Sequence, residues 1–412
     1  MIKFFYSVFE RIFGFLYHPV VRFFRTNRYN AKDPFVFFVH YVLFLWKKTD
    51  SRKKNLYLDV TYLSKCERFA GICRVVAKFQ EFLPAVQKEY DVIPVIGKQY
   101  LGFYGLSDGK CICPASGDIF LSAEVTQGII DSNSLFFLRL KQKGCRVCFF
   151  LHDLIPVIYP DFNGSYKFLR YYKKYLRQLA LSDRVVCNSN AVLSDFNEYI
   201  KKNRLKTNPN LKKSYTHLGV DFKPVAESSL KKQNMPAKIN FLMVSTVEVR
   251  KMYDQAVEAF SILWDKGMDV SLSIVGKYGW RAEKARALIE NSPYINKKLF
   301  WYNQGISDSE LAELYQSCDA VVFASMTEGF GLALIEAAIY GKPLIIRDIP
   351  IFREIAGENA LYFSGTEGRN LAEKIEQWIE LFEKGRCPES KKISYISWEK
   401  CTENVFNFIA QD

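Results

Sequence analysis

A turn that opens a helix is encoded by Thr327-Glu328-Gly329-Phe330-Gly331-Leu332-Ala333-Leu334-Ile335-Glu336-Ala337-Ala338. It follows an apolar run, Ala320 to Ala324, so the sequence predicts a strand, a turn and a helix in succession. The free backbone N–H groups of Gly329, Phe330, Gly331 and Leu332 would form the positive end of that helix, which readily binds phosphate or sugar oxygens. Glu328 and Glu336 are spaced to face one crevice, and carboxylates accept hydrogen bonds from sugar and ribose hydroxyls. The stretch therefore predicts a nucleotide-sugar site.

A second cluster, Ser245 to Lys251, follows a predicted strand over Ile239 to Ser245. Its Arg250 and Lys251 stand where that strand gives way to a helix, at the edge of an α/β sheet where ligands bind. An arginine can fork onto two oxygens and a lysine acts as a point charge, so the pair suits a diphosphate. The alternative is a solvated basic pair at a helix start. Helix starts prefer acidic residues, and the glutamate stretch lies downstream, so we favour the ligand site.

Two residues of the first half complete the predicted site. His152 ends a predicted strand, Arg146 to Leu151, and is expected to face the donor sugar across a cleft, with a packing or capping role as the alternative. Gly71 lies between the first strand and the first helix, where glycine permits a tight turn and close approach to a ligand. The sequence has no Asp-x-Asp pair to bind a metal, so cations and helix N-termini would neutralise a leaving diphosphate.

Apolar runs alternate with helical patterns through both halves of the chain, which is typical of parallel α/β sheets. The polar stretch Lys223 to Ala237 contains two prolines and is the best linker. A chain of 412 residues is long for one core. We therefore predict an α/β fold of two Rossmann-like domains facing a central cleft. Its predicted parts are an extension over 1–54, an N-terminal acceptor domain over 55–222, a nucleotide-sugar domain over 238–392 and a C-terminal helix within 393–412 that packs back on the first domain.

The opening of the chain is basic and aromatic. Residues 1–55 hold eleven Lys/Arg against three Asp/Glu, most of the net charge of +13. The apolar run Pro34 to Trp46 has thirteen residues, fewer than the roughly 20 that a spanning helix needs. Basic residues follow it directly. This pattern favours a helix lying on an anionic membrane surface, with packing on the protein's own body as the alternative.

Ten cysteines occur in a chain with no recognisable secretory signal, so we expect reduced thiols. Cys111, Cys113, Cys145 and Cys148 could form a zinc site. Cys148, however, falls in a predicted strand, where a cysteine is usually a small buried hydrophobe. No metal is therefore predicted.

The spacing of Glu328 and Glu336 resembles the EX7E motif of family 4 glycosyltransferases. Further stretches are similar to landmarks of that family: residues 244–251, 274–277, 152–156, 188–189 and 218–221. The resemblance covers about residues 55–410. It implies a GT-B enzyme that retains the anomeric configuration, needs no metal or other cofactor, and uses a nucleotide-diphospho-sugar.

The resemblance also implies roles for residues. Glu336 would bind the ribose and Glu328 the donor sugar, while the backbone of 329–332 holds sugar and phosphate oxygens. Arg250 and Lys251 would bind the diphosphate, and His152 would support the sugar as positive charge develops. Two positions depart from the pattern of many relatives, since Ser245 and Val249 stand where glycine and proline are usual. In the opening loop, Ala70 and Cys73 likewise replace threonine and glutamine.

The predicted function is transfer of a hexose, with GDP-mannose as the suggested donor, to a hydroxyl of a lipid-linked or growing glycan. A cytoplasmic location, peripheral on the inner face of a bacterial membrane, fits such an acceptor. A nucleotide-sugar epimerase of GT-B shape and a non-catalytic scaffold for polysaccharide assembly are the alternatives. A nucleic-acid partner is disfavoured because the basic excess lies mostly in the aromatic opening and no recognition motif is present.

Overall fold

The computed structural model describes residues 53–66, 71–126, 128–162, 165–221 and 237–411. The predicted membrane-surface extension lies outside these residues except for Lys53 and Lys54, and so does the predicted linker except for Ala237. The described residues form two α/β units, each built on its own sheet.

The first unit contains a seven-stranded sheet with the order β3-β2-β1-β4-β5-β6-β7. Its neighbouring strands are parallel except for the antiparallel pair β2 and β3. The strands are β1 Lys54–Asp59, β2 Tyr90–Lys98, β3 Gly102–Gly105, β4 Ile119–Ser122, β5 Arg146–Leu151, β6 Arg184–Cys187 and β7 Lys212–Tyr215. The helices of this unit are α1 Ile72–Val86, α2 Ser134–Gln142, α3 Ile155–Ile158, α4 Tyr166–Ala180 and α5 Asn190–Lys202.

The second unit contains a six-stranded, wholly parallel sheet with the order β10-β9-β8-β11-β12-β13. The strands are β8 Ile239–Val244, β9 Val270–Val275, β10 Leu299–Tyr302, β11 Ala320–Phe323, β12 Leu344–Arg347 and β13 Leu361–Phe363. The helices are α6 Tyr253–Asp265, α7 Glu283–Glu290, α8 Asp308–Ser317, α9 Leu332–Ile339, α10 Pro350–Ala356, α11 Gly368–Glu383 and α12 Trp398–Ala410.

The strands form where short apolar runs can be buried on both faces. Every residue of β9 and of β11 is buried, as expected for parallel strands covered by helices on each side. Helix starts carry their own signals: Ser307 and Glu310 form a capping box at α8, and Ser165 caps α4. Both sheets reverse their strand order beside the first strand, between β1 and β4 and between β8 and β11. Ligands of open α/β sheets bind at this reversal, outside the carboxyl ends of the strands.

The last helix, α12, packs against α1 of the first unit. Trp398 is fully buried at its start, and Arg146 Nη1 donates to the backbone oxygen of Ile409 at 2.8 Å near its end. The helical pattern over Ile393 to Ile409 yields a helix only from Trp398, because Ser397 caps it there and Ser390–Lys392 form a separate 3-10 turn. The chain thus crosses back to its first domain after completing the second.

Cys66 and Cys73 are joined by a disulfide, so the prediction of reduced thiols is wrong for this pair. The other eight cysteines of the described ranges are not in disulfides. Within those ranges there is no group of three or more His, Cys, Asp or Glu side chains placed to hold a metal ion. No helix in the same part of the chain is both long and apolar enough to cross a membrane.

Candidate active site

Glu328 is held between two cations of the neighbouring loop. Its Oε2 lies 2.7 Å from Nη1 of Arg250, and its Oε1 contacts Nζ of Lys251. The carboxylate is only 9% exposed. Burial alone would raise the pKa of Glu328, but Lys251 and Arg250 together lower it to about 2. Glu328 is therefore an anion at neutral pH. The structure also brings this predicted sugar-binding carboxylate together with both predicted phosphate-binding cations, Arg250 and Lys251.

The loop that carries these cations is fixed by backbone contacts with the loop after β9. The N–H of Val247 donates to Lys277 O, and that of Gly279 donates to Val247 O, both at 2.9 Å. A Cβ on Gly276 would stand 1.9 Å from Ser245 O, so only glycine allows the two loops to meet this closely. Met252 then takes a left-handed conformation, with φ of 54°, and α6 begins. A non-glycine residue held in this region is a mark of functional sites.

Ser245, which replaces the glycine usual in relatives, has a partner of its own. Its Oγ lies 2.9 Å from Oη of Tyr253, and that hydroxyl also donates to Ser245 O at 2.9 Å. Tyr253 is fully buried. The extra hydroxyl thus ties the end of β8 to the first turn of α6.

The turn before α9 leaves the N-terminus of that helix without a side-chain cap. Gly331 caps the helix with a φ of 107°, and no side chain accepts from the N–H groups that follow it. Those groups include Leu332, and they supply the positive helix end predicted from the sequence. Phe330 is buried, and its ring lies 5.4 Å from that of His217, so its side chain anchors the turn rather than facing a ligand.

Gly329 sits against the first domain at His152. A Cβ at this position would stand 2.5 Å from His152 O and 3.3 Å from the Cβ of Asp153. The backbone oxygen of Gly329 also accepts from Oγ of Ser189 at 3.3 Å. The turn of the second domain and the strand ends of the first are therefore in direct contact.

His152 is buried and neutral. Its Nε2 lies 2.6 Å from Ala123 O, and since a carbonyl only accepts, Nε2 carries the proton and Nδ1 the lone pair. Burial lowers the pKa of His152 to about 4, against the opposing effect of that hydrogen bond. A neutral imidazole does not repel positive charge that develops beside it.

Glu336 lies about one turn into α9 and meets a cation from the other domain. Its Oε1 is 3.4 Å from Nη1 of Arg74 on α1. Burial raises the pKa of Glu336, and Arg74 partly offsets that effect. Gly71 precedes Arg74 by one turn and caps α1 with a φ of 56°. It is exposed, and apart from its chain neighbours no described atom lies within 4 Å of where its Cβ would be. Arg74 therefore links α1 to Glu336, and a ligand contact at Gly71 stays a prediction.

Four site residues had no prediction from the sequence. Glu248 accepts from Nη2 of Arg250 at 2.5 Å, and Asp153 is a half-buried carboxyl whose pKa burial raises despite the nearby Arg250. Arg74 pairs with Glu336, while Glu354 of α10 joins the two domains. Asp153 and Glu248 could have been suggested by their places beside His152 and Arg250 at strand ends. Arg74 and Glu354 have no local signal, because their partners are more than 130 positions away.

Glu354 forms a bridge between α10 and the first domain. Its two oxygens accept from the backbone N–H groups of Asn190 and Ala191, each at 2.8 Å, at the start of α5. His217 Nε2 lies 2.8 Å from Oε1 of the same carboxylate. Burial would raise the pKa of Glu354, but His217 and the two N–H donors lower it.

A second pair of carboxyls lies at the reversal point of the first sheet. Asp59 ends β1 and accepts from Thr61 and from Oγ of Ser122 at 2.8 Å. Glu124 follows β4 and accepts from the N–H groups of Tyr62 at 2.5 Å and Leu63 at 2.8 Å. Burial, with Asp59 adding to it, raises the pKa of Glu124 to about 7. The first sheet thus carries two carboxyls at its reversal point, and neither has an ion pair with a described cation.

Comparison with known proteins agrees with this geometry. Residues 226–391 match the family described as "Glycosyl transferases group 1". The matched segment lies in the second half of the chain and resembles that family. It includes the loop with Arg250 and Lys251 and both glutamates of the turn and helix.

Relatives and solved structures extend the likeness over most of the chain. The chain is 34% identical over 375 residues to the serotype-specific mannosyltransferase WbdA of Escherichia coli, covering 85% of this chain and 44% of that protein. The chain thus spans about half the length of the curated relatives it matches. Anabaena HepE in complex with UDP and glucose superposes with a TM-score of 0.58 at 14% identity, over 88% of this chain and 100% of that one. The N-terminal domain of Candida albicans trehalose-6-phosphate phosphatase gives 0.63 at 15% identity, over 88% and 97%. The predicted two-domain GT-B fold is confirmed.

Proposed function

We propose that this chain is a retaining glycosyltransferase that moves a hexose from a nucleotide-diphospho-sugar to an acceptor hydroxyl. The observation that carries the proposal is the buried Glu328, held between Arg250 and Lys251 at the open start of α9. Glu336 lies on the same helix, and the whole arrangement falls within the matched glycosyltransferase domain. Cations, free N–H groups and two carboxylates within one crevice suit a diphosphate joined to a ribose and a sugar.

The donor is proposed to be GDP-mannose. The support is that WbdA of Escherichia coli is named a mannosyltransferase and matches 85% of this chain at 34% identity. A second relative of that organism, the O-antigen chain mannosyltransferase B, is 25% identical over 173 residues. Because the chain spans less than half of WbdA, the proposal concerns mannosyl transfer as a class and leaves the linkage open.

Each charged side chain has a proposed part in the reaction. Arg250 and Lys251 balance the charge of the diphosphate as it leaves, an electrostatic effect that often accounts for the largest share of catalysis. Glu328 orients the donor sugar near its reacting carbon, and Glu336 binds the ribose hydroxyls after releasing Arg74. His152, which is neutral, lies against Gly329 and supports the sugar as it gains positive charge. No metal is required by this scheme.

The proposed reaction proceeds on one face of the sugar. The diphosphate leaves as an oxocarbenium-like state forms, the acceptor hydroxyl enters from the same side, and a departing diphosphate oxygen takes its proton. Glu328 is a poor covalent nucleophile because both of its oxygens already contact cations. The acceptor is proposed to be a lipid-linked or growing glycan, which fits a peripheral position on a membrane for residues 1–54.

The experiment is to incubate the full chain with GDP-mannose and a mannose-terminated oligosaccharide. The account predicts release of GDP, a product longer by one hexose, and the α configuration of the donor preserved in the new linkage by NMR. A β-linked product would contradict the retaining mechanism. Incubation without acceptor is the second arm, because an altered nucleotide sugar there would identify an epimerase instead. Binding of GDP-mannose with no turnover on any acceptor would favour a non-catalytic scaffold.

A further inference from the structure

A separate pocket of about 450 Å³ opens at the carboxyl edge of the first sheet. Gln99 lines it from the loop after β2, and Asp131 from the segment after β4. The opposite wall is α4, which contributes Lys167, Arg170, Tyr171 and Lys174. None of these residues belongs to the donor site. The size is within the range typical of pockets that bind small molecules.

The wall formed by α4 is a continuous cationic face. Residues 167, 170, 171 and 174 are spaced by three and four positions, so they share one side of the helix. Tyr172, Tyr175, Leu176 and Leu179 pack on the opposite, core-facing side. The pocket therefore faces three cations and one carboxylate, and its net charge favours an anion.

Two buried polar atoms of residues that line this pocket lack partners among the described residues. Oη of Tyr171 is one, on a side chain that is 4% exposed. Oδ1 of Asp131 is the other, although its second oxygen lies 3.5 Å from Nζ of Lys174. Buried polar groups in folded proteins almost always have a hydrogen-bond partner. A hydroxyl donor is the natural partner of Asp131, and a hydroxyl can pair with Tyr171 in either direction.

We propose that this pocket binds a phosphorylated sugar. Arg170 forks onto the phosphate oxygens, while Lys167 and Lys174 act as point charges beside them. Asp131 and Tyr171 bind sugar hydroxyls, which are uncharged donors, whereas a phosphate group beside Asp131 would be repelled by its negative charge. The ligand class is thus a hexose phosphate, free or as part of a larger phosphate-linked glycan.

The position of the pocket connects it to the acceptor. It lies at the carboxyl edge of the first sheet, the edge whose strand ends contact the donor turn at Gly329. In the reaction proposed above, this is the side from which an acceptor approaches. The acceptor role rests on that proposed function, whereas binding of a hexose phosphate does not depend on it.

The test is titration calorimetry of the full chain with mannose 1-phosphate, using inorganic phosphate for comparison. Lys167→Ala with Arg170→Ala should weaken binding of mannose 1-phosphate by tenfold or more. Lys173→Ala with Arg177→Ala is the matched control, since it removes the same charge from exposed positions of the same helix outside the pocket. The control should bind like the wild type. Equal weakening in both variants, or no binding to the wild type, would overturn the proposal.

Tyr171→Phe separates ligand recognition from folding. It removes only the buried hydroxyl that has no protein partner, so the melting temperature should stay level or rise. Affinity for mannose 1-phosphate should fall several-fold, with little change for inorganic phosphate. If the affinity for mannose 1-phosphate is unchanged, or if inorganic phosphate binds as tightly as the sugar ester, the sugar part of the proposal is wrong.

The source of the phosphate is distinguished with vesicles. Phosphatidylcholine vesicles serve as the reference. Phosphatidylglycerol vesicles should bind the double variant, Lys167→Ala with Arg170→Ala, as tightly as they bind the wild type. A different result would assign the pocket to a lipid headgroup and overturn the proposal. In that result the wild type binds these vesicles but not mannose 1-phosphate, and the variant no longer binds the vesicles. Binding of GDP to the same variants reports on the donor site, and its affinity should be unchanged. If the wild type binds GDP but not mannose 1-phosphate, that result counts against this pocket and not against the donor site.

Discussion

Glu124 and Glu328 follow equivalent strands of the two sheets, β4 and β11, yet they behave in opposite ways. Glu328 contacts two cations, and its pKa is lowered to about 2. Glu124 accepts only from N–H and hydroxyl groups beside a second buried carboxyl, and its pKa is raised to about 7. The carboxylate that follows this strand is thus a fixed anion in the second domain and a carboxyl that titrates near neutrality in the first domain.

The difference follows from the loop after the first strand of each sheet. After β8 that loop carries Arg250 and Lys251, and both reach the carboxylate across the strand reversal. After β1 the corresponding loop offers backbone N–H groups of Tyr62 and Leu63. Cations suit a site that must balance a diphosphate, whereas neutral donors suit a loop that must only be held in place.

The largest expected effect comes from removing the cations on the donor side. Arg250→Ala with Lys251→Ala should lower turnover of GDP-mannose by 10²-fold or more, since electrostatic contacts of this kind usually supply several kcal/mol. Steady-state release of GDP measures it. The change also leaves Glu328 buried without a partner, which destabilises the fold by about 3–5 kcal/mol. Adding Glu328→Gln should restore the melting temperature without restoring turnover. Turnover within a few-fold of the wild type in the double variant would refute the electrostatic account.

Acid should destabilise the protein through Glu328. Its folded pKa of about 2 lies below the ordinary 4.5, so its contribution is fully present above pH 4.5 and is lost as the pH falls towards 2. The shift corresponds to about 3 kcal/mol. Denaturant unfolding of the wild type and Glu328→Gln at pH 3 and pH 6 should show the two free energies converging at the lower pH. A constant difference between them would mean that the ion cluster does not set this pKa.

Glu124 should give the opposite dependence. Its folded pKa of about 7 lies above the ordinary 4.5, so its contribution is present below pH 4.5 and is lost as the pH rises through 7. The magnitude is again about 3 kcal/mol. The difference in unfolding free energy between the wild type and Glu124→Gln should therefore shift in favour of the variant from pH 5 to pH 8. If the wild type instead gains stability relative to Glu124→Gln as the pH rises, as expected for Glu328, the contrast between the two carboxylates does not hold.

The smallest effect concerns the bridge between the two sides. Glu354→Ala removes the acceptor for two N–H groups at the start of α5, a change that usually costs about 1–2 kcal/mol. Glu358→Ala is the matched control, because it removes an exposed carboxylate two residues beyond α10. The melting temperature should fall for the first variant and not for the second. Equal melting temperatures for the two variants would show that the bridge contributes nothing to the contact between the domains.

The donor side could largely be predicted from the sequence because its signals are local. The turn at Gly329 to Leu332, the seven-residue spacing of its glutamates and the basic pair at a strand end all lie within short stretches. The acceptor side could not, since Asp59 and Glu124 come together only through the pairing of β1 with β4. Arg74 reaches Glu336 across 262 positions, which no spacing rule would indicate. The turn at Gly71 is a local signal, whereas the contact that Arg74 makes one turn later is not.

The central claim is that the second domain binds the nucleotide through Glu336, independently of the pocket at α4. Titration calorimetry of GDP against the wild type, Glu336→Ala and Lys167→Ala with Arg170→Ala tests it most directly. The account predicts measurable binding of GDP to the wild type, at least tenfold weaker binding to Glu336→Ala, and unchanged binding to the α4 variant. Binding that is equal in the wild type and Glu336→Ala, or absent from well-folded wild-type protein, would contradict it.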